Sequence, residues 1–125
     1  MEFEKLSEAQ IDNFKKQFGE IICIDKKNKA GEIEGSVFLR RPSAMSNYWS
    51  VASRFRQISG EGKDLAAGEM ILKNCYLGGI KDFDTKNDKE NLRNSAIYVG
   101  ITIQCYQAAN EDFMQGAQGL GFRIM

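Results

Sequence analysis

Residues 20–41, EIICIDKKNKAGEIEGSVFLRR, constrain the fold more than any other stretch. Residues 20–25 are rich in β-branched and apolar side chains. Residues 33–39 alternate, with Ile33, Gly35, Val37 and Leu39 on one side and Glu34, Ser36 and Phe38 on the other. The polar connector KKNKAG separates them, which predicts a β-hairpin. A lone hairpin is marginal in water, so this one must pack on helices or pair with another chain.

The remaining sequence supplies helices. Ser7 and Gln10 form a capping-box pattern, Ile11, Phe14 and Phe18 recur at helical spacing, and Gly19 stops the run; a first helix is predicted over 7–18. Pro42 ends the second strand. A second helix is predicted from Ser43 to about residue 59, with Met45, Tyr48 or Trp49, Ala52 and Phe55 on its apolar side. Gly60–Lys63 breaks it. A third helix is predicted over 64–77, capped by Asp64 and stopped by Gly78 and Gly79. KDFDTKNDKEN reads as a charged linker. A fourth helix is predicted over 92–114, although its middle, AIYVGITIQCY, is β-branched enough to pass for a strand. The resulting class is α+β: an N-terminal helix and β-hairpin followed by a small bundle of about three helices. One domain is expected over 1–115, with a glycine-rich arm over 116–125 that orders on a partner.

Composition removes several function classes. Basic and acidic residues number 17 each, so no cationic surplus argues for nucleic acid, and self-repulsion is weak enough to permit a homo-oligomer. No apolar run approaches a membrane span. The opening MEFEKLSEAQ is acidic and polar where a secretory signal is basic and then apolar, so a cytoplasmic location is expected. The three cysteines, Cys23, Cys75 and Cys105, are scattered, which suits reduced thiols better than a disulfide framework. Histidine is absent, and with it the commonest general base and zinc ligand.

The candidate reactive motifs reduce to structure. Cys75 in KNCYLGG sits near a helix C-terminus, where the dipole disfavours a thiolate, and reads as a packed helix end. Asp82, Asp84, Asp88 and Glu90 lack the glycine and terminal glutamate offsets of a calcium loop. QISGEGKD lacks the first glycine and the Ser/Thr of a phosphate-binding loop. No catalytic residue, metal or cofactor is expected. What remains is contact surface. Arg40 and Arg41, with Arg54 and Arg56, could form a basic patch toward an acidic linker or partner. Trp49, Phe55, Phe113, Met114, Phe122 and Met125 are the apolar candidates for meeting another chain.

The element order, FLRRPS leading into a helix, and GEMILKNCYLGG before acidic residues resemble small tailed-bacteriophage and prophage proteins of the tail-assembly-chaperone type. The matching positions are Arg41, Pro42, Asn74, Cys75, Tyr76, Gly78 and Gly79, within a likeness spanning about residues 5–110. Tyr76 stands where tryptophan is more usual in that family, and RFRQISGEGKD is a longer link between the middle helices. The resemblance implies a non-enzymatic role in the host cytoplasm: binding the tape-measure protein, keeping its apolar helices soluble, and helping tail-tube subunits polymerise around it. The alternative is a structural virion component, a head–tail connector or capsid-associated protein, for which GLGFRIM would be a docking arm.

Overall fold

The computed structural model describes residues 2–81, 83, 93–114 and 123–124. Helix α1 (Glu8–Phe18) starts as its sequence dictates: the Gln10 amide donates to Ser7 Oγ (3.2 Å) and the Ser7 amide donates to Gln10 Oε1 (2.9 Å). Gly19 ends it at φ 77°. Strands β1 (Ile21–Lys27) and β2 (Ile33–Arg40) then pair antiparallel, with Ile22 opposite Leu39 and Ile24 opposite Val37. The Asn28 side chain closes the turn by accepting from the Ala30 and Glu32 amides.

Beyond Arg41 the chain makes a 3-10 turn (Pro42–Ala44) before α2 (Tyr48–Gln57), so the second helix starts later than Ser43 predicts. Proline at the first position suits such a turn, and its missing amide costs nothing there. Helix α3 (Lys63–Cys75) begins behind Gly62, which takes φ 74°; Asp64 lies in the first turn and is not the cap. The predicted end of this helix is also corrected. It stops at Cys75, and Tyr76–Gly78 forms a short strand, β3, against β2. The reason is local: the Tyr76 hydroxyl folds back on Ile80, donating to its carbonyl and accepting from its amide, each at 3.0 Å. Gly79, at φ 115°, passes so close to the Ser36 carbonyl that no Cβ would fit.

Helix α4 (Ala96–Met114) settles the ambiguous segment as helix. Tyr98, Ile101, Thr102, Cys105, Ala108, Ala109 and Phe113 are buried, and their spacing of three and four is helical. The Thr102 hydroxyl donates to the Tyr98 carbonyl (2.7 Å), so its burial leaves no orphan. Residues 123–124, within the stretch expected to be a glycine-rich arm, form β4 (Arg123–Ile124) on the outer edge of β1. The sheet order is β3-β2-β1-β4.

The fold is α+β, with the N-terminal helix and hairpin preceding the helical part, as the pattern predicts. The sheet is covered on both faces. Ile22, Ile24, Val37 and Leu39 join the large core with Val51, Ala52, Phe55, Ile71, Leu72, Ile101 and Cys105 from the helices. Ile21, Cys23 and Phe38 face the other way, toward Leu6, Ile11, Phe14 and Phe18. The alternation read in β2 is therefore correct, and each of its faces has a separate partner. At the seam of α3 and α4, Gly68 lies against the Thr102 carbonyl, where a Cβ would collide.

Candidate functional surface

The predicted contact residues separate into two groups once their surroundings are known. Phe55 and Phe113 are core residues, 7% and 6% exposed, and this corrects their assignment to a contact surface. Their rings meet edge-on at 5.1 Å, and Phe55 also stacks on Tyr106 at 5.6 Å. Trp49 is 73% exposed at the start of α2. It rests edge-on against Tyr48 (5.0 Å), and Tyr48 in turn leans on Phe113 (5.5 Å). The indole is thus an exposed aromatic set on a half-buried tyrosine, which rests in turn on the buried Phe113.

The arginines divide in the same way. Arg41 is spent inside the molecule. Its Nε and Nη2 donate to Asp112 Oδ1 at 3.0 and 2.6 Å, and its Nη1 donates to Glu20 Oε2 at 2.8 Å. The Asp112 side chain is 3% exposed and also accepts from the Ser43 amide and hydroxyl. Burial lowers the Arg41 pKa, but Asp112 and then Glu20 outweigh it and the net shift is upward. Arg40 donates to the Asn74 carbonyl at the end of α3 (3.2 Å) and stands 5.7 Å over the Phe18 ring. The basic patch therefore does not form from all four arginines. Arg54 and Arg56 alone are exposed and pair with no carboxylate among the described residues. Arg56 lies seven residues beyond Trp49, two turns on, and so returns to its side of α2.

The contact residues Phe122 and Met125 and the acidic positions 82, 84, 88 and 90 lie outside the described residues, as does the side chain of Met114. Cys75 is buried, as its helix-end position predicts. Burial pushes its thiol pKa up to about 12, with Arg40 opposing and Asp112 adding to the shift. The Cys105 thiol is pushed up too, by burial and then by Cys75. Tyr106 is raised by burial and by the facing Asp64 carboxylate. Among the described residues no three His, Cys, Asp or Glu side chains converge on a point, and no helix is long and apolar enough to cross a membrane.

Sequence reasoning missed Asp112, the strongest partner of Arg41, because nothing local links positions 71 residues apart. It also missed a groove of about 470 Å³ between the N-terminal segment, α1 and β2, lined by Phe3, Leu6, Ile11, Ile33 and Phe38. Ile33, which opens the alternating strand, lies at this groove and is 55% exposed. Comparison with known protein families, with curated proteins and with solved structures finds no match.

Proposed function

We propose that the chain is a non-enzymatic assembly protein of the tail-assembly-chaperone type, binding the tape-measure protein, tail-tube subunits or both in the host cytoplasm. The observation that carries this reading is Trp49, a largely exposed indole resting on Tyr48 and, through it, on Phe113, with Arg56 on its side of the helix. Tryptophan and arginine dominate the energetics of protein contacts, because both combine large area with directional bonding. A helical, apolar client would lay its apolar stripe on the indole, and its acidic residues beside Arg54 and Arg56. Support also comes from the residue inventory, which supplies contact chemistry and no histidine.

The test joins two measurements. Mass spectrometry of purified virions beside infected-cell lysate is expected to find the chain in lysate and not in particles. A pull-down is expected to capture tape-measure or tube protein, with Trp49→Ala weakening capture about tenfold or more, the scale of a hot-spot truncation. Stoichiometric retention in particles overturns the chaperone role and makes the chain a structural virion component. Capture that Trp49→Ala leaves unchanged overturns the assignment of the surface.

A further inference from the structure

The segment before α1 runs antiparallel to residues 79–81. Phe3 bridges Ile80, the Glu4 amide donates to the Gly79 carbonyl (2.8 Å), and the Lys81 amide donates to the Glu2 carbonyl (2.9 Å). Its two apolar side chains belong to different sides of the sheet. Phe3 packs with the large core, and Leu6 packs with Ile21, Cys23 and Phe38 beneath α1. The Phe3 ring takes the space that a side chain at residue 35 would fill: the three atoms nearest a Cβ on Gly35 are all its own. Leu6 stands just before the cap Ser7, and Ile11 lies four residues past that cap, the spacing of a hydrophobic staple that fixes the entry to a helix. Both line the groove beside β2.

We propose that residues 2–6 are a strap latched by Phe3 at Gly35, and that strap and α1 open together about Gly19 as a lid on Ile21, Cys23 and Phe38. Leu6 couples the two parts, since it ends the strap and sits in the same cluster as Ile11, Phe14 and Phe18. The hinge is a matter of backbone. Gly19 takes φ 77°, and a Cβ there would meet nothing, so no side chain opposes rotation at that point. Beyond it the chain is fixed, by Glu20 on Arg41 (2.8 Å) and by the fully buried Ile21. The lid is also the part that opens at least cost. Helix α1 has no buried residue, and the groove of about 470 Å³ interrupts its contact with β2. The lid stands whether or not the client reading of Trp49 holds, since it involves no part of α2.

The natural cysteines supply the readout. Cys23 lies under the lid, whereas Cys75 and Cys105 lie in the large core, and the chain has no other thiol. Iodoacetamide under native conditions, with mass spectrometry at each site, therefore reads lid opening at Cys23 and global unfolding at the other two. Phe3→Ala is expected to raise Cys23 labelling about tenfold, the scale of losing a half-buried ring, with a much smaller rise at Cys75 and Cys105. Amide protection over residues 11–18 should fall by a matching factor. Phe3 packs on the large core and not with Cys23, so a purely local role would move the wrong thiols. Gly35→Ala suits a strand better than glycine and displaces the ring, so it too should raise Cys23 labelling. The double variant Phe3→Ala/Gly35→Ala should not exceed the larger single effect, because both changes remove one contact. Unchanged Cys23 labelling in either single variant, an equal rise at all three cysteines, or a rise at Cys23 while α1 keeps its protection overturns the proposal. Factors that multiply in the double variant overturn the latch at Gly35.

Discussion

On one face of the sheet, Ile22, Ile24, Val37 and Leu39 meet α2, α3 and α4 in a continuous core; on the other, Ile21, Cys23 and Phe38 meet α1. The two walls are built differently. The helical wall contributes fully buried side chains, among them Val51, Ile71, Leu72 and Ile101, and its α3–α4 seam is tight enough to require Gly68. Helix α1 contributes no buried residue at all; Ile11, Phe14 and Phe18 are half-covered. Burial stabilises in proportion to apolar area removed from water. The comparison teaches that the sheet and three helices form the stable unit, with α1 held on it by a thinner layer.

The largest expected effect lies in the thick wall. Leu72 is fully buried on α3, facing the core shared with the sheet and α4. Leu72→Ala is expected to cost about 3–4 kcal/mol, the transfer term plus a cavity the close-packed seam cannot collapse. Urea denaturation measures it. A loss below about 1 kcal/mol would mean that the core is looser than its burial states, and the contrast between the walls would fail.

The next effect probes the thick wall through pH. Cys75 and Cys105 are buried on the helical side, and both thiols have raised pKa values, Cys75 from 9.0 to about 12. A folded pKa above the unfolded one means that the fold prefers the protonated thiol. That preference is fully present below about pH 9 and is lost as pH rises toward 12. Each such thiol removes up to about 1.4 kcal/mol per pH unit in that window. Denaturation midpoints at pH 8 and pH 10 are expected to differ by less in Cys75→Ala/Cys105→Ala than in the natural chain. An equal fall in both would show that the thiols do not sense the core.

Much of this organisation was legible in the sequence, and the limits were physical. Ser7, Gln10 and Gly19 announced α1 because capping is local chemistry. The alternation of residues 33–39 announced a strand with two covered faces, though not that α1 would take one of them. The segment 96–106 was ambiguous because Ile97, Val99, Ile101 and Ile103 also satisfy a strand period. The stripe Tyr98, Ile101, Cys105, Ala108 resolves it only when buried residues are known. On α2 the choice between Tyr48 and Trp49 for the core side was open; the ring contacts of Tyr48 with Phe113 decided it and left the indole in water. The candidate surface was the least legible part. Phe55 and Trp49 are alike as residue types, and Arg41 and Arg56 are alike in charge. Only tertiary neighbours, above all Asp112, divide the engaged from the available.

The smallest expected effect is the most informative about the thin wall. Phe14 packs on Ile21, Cys23 and Phe38 from the middle of α1, and its ring is partly exposed. Phe14→Ala is expected to cost about 1–2 kcal/mol globally, less than a core truncation because less area leaves water and no closed cavity forms. Its local signature should be larger than its global one. A helix of 11 residues is too short to persist without its packed face, so loss of the ring should release α1 before the rest unfolds. Amide hydrogen exchange is the measurement. Protection over residues 11–18 should fall in Phe14→Ala, while protection in α3 and α4 stays as in the natural chain. A uniform fall across all helices would make α1 part of one cooperative unit, and the two walls would then differ in thickness without differing in order of release.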